Sequence, residues 1–61
     1  MWIEDLTKAL YYLNVTDIKY KVTIDFVHDG RIQLSSGRQL SVKYLVTLYD
    51  RYIKTGDIVN P

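Results

Sequence analysis

The residues best suited to acid–base or metal chemistry in this 61-residue chain are few and scattered. The single histidine, His28, precedes Asp29 and Gly30, a sequence typical of a tight turn, where a local hydrogen bond explains the imidazole better than proton transfer does. The chain has no cysteine, so a tetrahedral zinc site would need mostly carboxylate ligands, which structural zinc sites seldom use. We therefore predict neither a metal nor a cofactor.

The carboxylates and serines show no catalytic arrangement either. Glu4 and Asp5 are neighbours in a predicted helix and so point in different directions, while Asp50 and Asp57 flank a helix end. The serines stand in predicted turns or at a helix start, without the pattern of a nucleophile elbow, and each glycine has a turn or a helix end to explain it. The sequence therefore predicts a protein that is not an enzyme.

Length and composition limit the remaining classes of protein. Sixty-one residues suffice for one domain, 1–61, and so small a core usually needs reinforcement, which without disulfides means self-association or unusually good packing. Eight basic and seven acidic residues leave a net charge of +1, which points to no polyanionic partner. The longest apolar run, Ala9 to Leu13, is far too short to span a membrane. We expect a cytoplasmic protein with no small-molecule substrate.

A helix is predicted over residues 2–13. Apolar residues recur there at the spacing of one helix face, with Trp2 and Ala9 widening the stripe: Ile3, Leu6, Leu10 and Leu13. Asn14 and the β-branched Val15 and Thr16 are expected to end this helix.

Alternation from Ile18 to Phe26 and again over residues 31–35 predicts two paired strands. A three-residue loop, His28 to Gly30, sets Phe26 opposite Ile32 and Ile24 opposite Leu34, and so keeps one face apolar. Gly30 then occupies the position that needs a positive φ. The predicted buried face of the sheet is Tyr20, Val22, Ile24, Phe26, Ile32 and Leu34.

The sequence pattern of the second half of the chain predicts a turn and another helix. Residues 35–37 form the turn, and residues 38–40 either make a short third strand or lead directly into the helix. Ser41 is a plausible N-cap, and Gly56 is the stop. An alternative continues the strand through residues 40–44. Ile58 and Val59 are expected to fold back on the core, with Asn60 and Pro61 as a tail.

Together these patterns predict a small single α+β domain of order α-β-β-(β)-α. An antiparallel hairpin or three-stranded sheet packs against two amphipathic helices. The last helix carries its apolar residues over a wide arc: Val42, Tyr44, Leu45, Val46, Leu48, Tyr49, Tyr52 and Ile53.

The clearest functional signal is the aromatic content, six tyrosines besides Trp2 and Phe26. Aromatic residues are enriched at the centres of protein interfaces. The leading interpretation is a protein-binding module acting by surface occlusion, with a homodimer as one form; its size class is typical of viral proteins from phages and mobile elements that inhibit or regulate a host protein. The predicted interface residues are Tyr44, Leu48, Tyr49, Tyr52, Tyr11 and Tyr12.

A nucleic-acid-binding regulator is the alternative interpretation. Four basic residues are expected on or near the hairpin, with Lys21 close to Arg38: Lys19, Lys21, Arg31 and Arg38. Against it stand Asp25 and Asp29 on the same hairpin and the nearly balanced charge.

Overall fold

The computed structural model describes residues 2–21 and 30–61 of the chain. The elements in order are α1 (Trp2–Val15), β1 (Tyr20–Lys21), β2 (Arg31–Leu34), β3 (Gln39–Ser41) and α2 (Val42–Thr55). The strands form one antiparallel sheet with the order β1-β2-β3, and α1 packs against α2. The predicted α+β class is confirmed, and the open question of a third strand is answered by β3.

The pairing of β1 with β2 differs from the prediction. Tyr20 lies opposite Leu34, and Lys21 lies opposite Gln33, whereas the three-residue loop required Ile24 opposite Leu34. The predicted register is therefore wrong by four residues. An even shift keeps every side chain on its own face, so the alternation of apolar residues fits both registers equally well.

Part of that hairpin prediction falls on residues that the structure does not describe. The loop residues His28 and Asp29 lie outside the described ranges, as do three members of the predicted buried face: Val22, Ile24 and Phe26. Gly30 is described, and its φ of 72° confirms the expected left-handed backbone.

The three-residue turn with a left-handed glycine occurs between β2 and β3 instead. The Gly37 N–H donates to the Leu34 carbonyl at 2.9 Å, and the Leu34 N–H donates to the Arg38 carbonyl at 2.7 Å. Gly37 has a φ of 95°, which a glycine adopts without steric cost. This turn at residues 35–37 confirms the second predicted turn and brings β3 back alongside β2.

Helix α1 continues two residues beyond the predicted end and closes with a Schellman motif. The Ile18 N–H donates to the Leu13 carbonyl at 2.9 Å, and the Asp17 N–H donates to the Asn14 carbonyl at 3.1 Å. Asp17 holds the left-handed position with a φ of 58°, where glycine is the usual residue. Ile18 packs against the core, the hydrophobic contact that commonly accompanies this motif.

Both predicted caps of α2 are confirmed. The Ser41 hydroxyl accepts from the Tyr44 N–H at 3.3 Å, and Gly56, with a φ of 78°, donates its N–H to the Tyr52 carbonyl at 2.8 Å. The Val42 N–H, which the helix itself leaves without a partner, donates to the Gly30 carbonyl at 2.8 Å. The alternative that continued the strand through residues 42–44 is therefore wrong, because the Ser41 cap starts the helix there.

The core combines residues from both helices and from β2 and β3. Its buried members are Ala9, Tyr12, Leu13, Ile32, Leu34, Leu40, Val42, Leu45 and Leu48. Tyr20 packs against this core, as predicted.

The segment after α2 corrects two expectations. Val59 packs against the core as predicted, but Ile58 is largely exposed. Pro61, expected in a free tail, is buried, and its main-chain oxygen accepts from the Arg38 guanidinium at 2.7 Å. Side-chain hydrogen bonds from Tyr12 to Val59 and from Arg38 to Pro61 hold the segment after α2 in place. Such long-range bonds leave no trace in the periodicity of the sequence.

Replacing Asp17 with glycine should stabilise the domain by about 0.5–1 kcal/mol, because glycine carries no steric penalty at a positive φ. The exposed Asp17–Lys19 ion pair at 3.9 Å is weak, so little is lost with it. Asp17→Val, which places a β-branched residue at the same φ, should destabilise by about 1–2 kcal/mol. Urea unfolding of both variants checks this, and a less stable glycine variant would contradict the motif.

Candidate protein interface

Two tyrosine pairs form the contact between α1 and α2. The rings of Tyr11 and Tyr49 meet edge to face, with centroids 5.6 Å apart and planes at 89°, and those of Tyr12 and Tyr52 meet at 6.2 Å and 74°. Edge-to-face contact is the favoured arrangement of aromatic rings. The two pairs differ in burial, since Tyr12 is fully buried whereas Tyr11 is 50% exposed.

Tyr12 belongs to the core and not to a binding surface. Its hydroxyl donates to the Val59 carbonyl at 2.6 Å and accepts from the Val59 N–H at 2.7 Å. One buried hydroxyl thus satisfies both main-chain groups of a residue 47 positions away. The prediction of Tyr12 as an interface residue is wrong, because its face of α1 is covered.

Leu48 is the second predicted interface residue that the structure places in the core. Tyr52 is half-buried and packs against the core beside Tyr12. Tyr44 is 43% exposed, but it lies five residues before Tyr49, about 140° round α2 at 100° per residue. The six predicted residues therefore do not form one surface.

A smaller continuous surface is centred on Tyr49. Tyr49 contacts Tyr11 across the helix pair, and Val46 and Ile53 lie three residues before it and four after it, on the same face of α2. The Lys8 ammonium lies 6.0 Å from the centroid of the Tyr49 ring, at the limit of a cation–π contact. These five residues, named here the seam stripe, are Lys8, Tyr11, Val46, Tyr49 and Ile53.

The seam stripe contains residues that the sequence did not single out. Ile53 belongs to the wide apolar arc of α2 but is not among the predicted interface residues, and its side chain is 60% exposed. Lys8 is of a type that is ordinarily a solvated charge on an amphipathic helix, so its identity does not mark it as part of a binding surface. The sequence shows that Lys8 stands three residues before Tyr11 and that Ile53 stands four residues after Tyr49. Which edge of each helix remains exposed, however, depends on how α1 and α2 pack.

Among the basic residues of the alternative interpretation, Lys19, Arg31 and Arg38 have exposed side chains, and the side chain of Lys21 lies outside the described part of the structure. Arg38 donates to Pro61, and Lys19 lies 3.9 Å from Asp17 with both side chains largely exposed. Arg31 is exposed and alternates with the buried Ile32, so it lies on the outer face of the sheet. The pairing from which Lys21 was expected near Arg38 is wrong, because Lys21 is paired with Gln33 and β2 lies between β1 and β3.

Within residues 2–21 and 30–61, no three side chains of His, Cys, Asp or Glu are grouped so that they could hold a metal ion. In the same ranges no helix has the length and apolarity to cross a membrane. No protein-family model, curated protein or solved structure matches this chain. The surface chemistry described above is therefore the basis for inferring a function.

Tyr12→Phe should destabilise the domain by about 1–3 kcal/mol, because it leaves the N–H and carbonyl of Val59 without their partner. Tyr11→Phe is the matched control, since that ring is half exposed and its loss of a hydroxyl should change stability by less than about 0.5 kcal/mol. Chemical unfolding of both variants makes the comparison. Equal stabilities would show that the Tyr12 hydroxyl does not hold Val59.

Proposed function

We propose that this chain is a small protein-binding module that acts by covering a surface of its partner, with the seam stripe as its contact surface. The observation that carries the proposal is the exposure of Tyr11 and Ile53, 50% and 60%, on either side of Tyr49. Tyr11 meets the partly buried ring of Tyr49 edge to face, and the exposed Ile53 stands one helical turn after Tyr49 on α2. A contiguous apolar patch of this kind is typical of a protein contact.

The make-up of the seam stripe fits the centre of an interface. Tyrosine has few rotatable bonds, so its burial removes much apolar area from water at a small cost in entropy. Tyr11 and Tyr49 already restrain each other through their edge-to-face contact, which lowers that cost further. Lys8 adds a charge at the rim, where it can direct orientation.

A module of this kind needs no catalytic group. It inhibits or regulates its partner by occupying the surface that another protein or substrate would use. Among the described side chains, the large exposed apolar residues outside the seam stripe are Ile3, Tyr44 and Ile58, which are dispersed over α1, α2 and the final segment and so do not form a second surface. Isolated exposed apolar residues are ordinary features of soluble domains.

Nucleic-acid binding ranks second. Exposed Lys19 and Arg31 support it, but the guanidinium of Arg38 is engaged by Pro61. The net charge of +1 supplies little attraction to phosphate. Two dispersed cations are a weaker basis than a continuous apolar stripe.

The test of the protein-binding proposal is affinity capture from a lysate of the source cells. Ile53→Gln should lose the captured partner, because it places an amide in the apolar contact while disturbing only an exposed side chain. Ile3→Gln is the matched control on the other helix, at a site that is 76% exposed, and should retain the partner. Equal capture by both variants would contradict the assignment of the seam stripe.

A second measurement decides between the two functions. Protein binding predicts no retardation of duplex or single-stranded nucleic acid in a gel at about 50 mM salt. Retardation at that salt that disappears by about 200 mM, and that Arg31→Glu removes, would replace the protein-binding proposal with the nucleic-acid regulator.

A further inference from the structure

We propose that the partner fitted by the seam stripe is a second copy of this chain, in a two-fold dimer that sets Lys8 of each copy against Asp50 of the other. This inference rests on the proposed function and names its partner. The two copies meet face to face along the groove where α1 and α2 pack together. Such a dimer stacks the α1–α2 pair of one copy on the α1–α2 pair of the other, so that four helices pack together.

The first argument is the spacing of the apolar residues on α2. Val46, Tyr49 and Ile53 are separated by three and four residues, the repeat with which a helix contacts another helix along its length. The core-facing residues of α2, such as Leu45 and Leu48, form a separate buried row. Val46 and Tyr49 also pack against the core, so within this row it is the exposed Ile53 that lies at the open side of the α1–α2 contact.

The second argument is charge complementarity of the seam stripe with itself. Lys8 stands on the α1 side, and the exposed Asp50 follows Tyr49 on α2, four residues after Val46 and three before Ile53. A two-fold axis along the groove brings the α1 side of one copy against the α2 side of the other. The same operation therefore pairs Lys8 with Asp50 twice, as an isologous interface requires.

The third argument is the size of the core. A 61-residue domain without cysteine has no disulfide to reinforce it, and subunit contact is among the devices that small domains use instead. Covering Tyr11 and Ile53 would extend the apolar core through the Tyr11–Tyr49 pair. The seam stripe is small, however, so the dimer belongs with weak, reversible contacts and not with obligate ones.

Sedimentation of the full chain between about 1 µM and 1 mM, the range of weak association, tests the dimer. The mass should rise from monomer to dimer across this range. Ile53→Gln should weaken association at least about tenfold, whereas Ile3→Gln, the control outside the seam stripe, should associate like the parent. A parent chain that stays monomeric throughout, or equal weakening by the two variants, would overturn the proposal.

A charge exchange tests the pairing itself. Lys8→Glu alone sets two acids together at both contacts, and Asp50→Lys alone sets two lysines together, so each variant should be largely monomeric. A mixture of the two restores both opposite-charge contacts and should form a mixed dimer, with association within a fewfold of the parent. Circular dichroism checks that both variants are folded. Failure of the mixture to associate would overturn the Lys8–Asp50 arrangement.

The outcomes separate this inference from the proposed function. A monomeric parent chain that still captures a different protein, with capture lost in Ile53→Gln, rejects the second copy as partner and leaves the protein-binding function intact. A monomeric chain whose capture is unaffected by Ile53→Gln rejects both.

Discussion

The packing of Tyr12 between α1, α2 and the final segment is the interaction on which the rest of the domain depends. Its ring is fully buried and meets Tyr52 edge to face, while its hydroxyl makes both hydrogen bonds to Val59. One side chain therefore joins the two helices and fixes the chain beyond Gly56. A fully paired polar group inside the core avoids the cost of burying an unpaired one and specifies a single arrangement.

This arrangement also determines where the exposed surface lies. With Tyr12 turned inward, the adjacent Tyr11 lies about 100° away round α1 and reaches the open edge of the helix pair, where it meets Tyr49. The Tyr12–Tyr52 contact lies in the interior, whereas the Tyr11–Tyr49 contact joins a half-exposed ring to a partly buried one. The position of the seam stripe thus follows from the core packing.

The sheet contributes differently. Its inner side supplies Ile32, Leu34 and Leu40 to the core, and its outer side carries exposed polar residues such as Arg31 and Gln39. An antiparallel sheet with one solvated face is an ordinary arrangement, so these polar residues need no ligand to explain them. The bond from Arg38 to Pro61 gives that cation a structural role.

The helices, the Ser41 and Gly56 caps, the turn at residues 35–37 and the α+β class follow from the order of residues alone, because periodicity, capping and turn chemistry act within a few residues. Tertiary structure alone decided the β1–β2 register, since a four-residue shift leaves every side chain on the same face. The packing of the helices also determines that Tyr12 is buried, that Tyr11 is half exposed and that Ile53 is exposed. Local spacing assigns a residue to a face of its helix, but only the neighbouring elements determine which faces are covered.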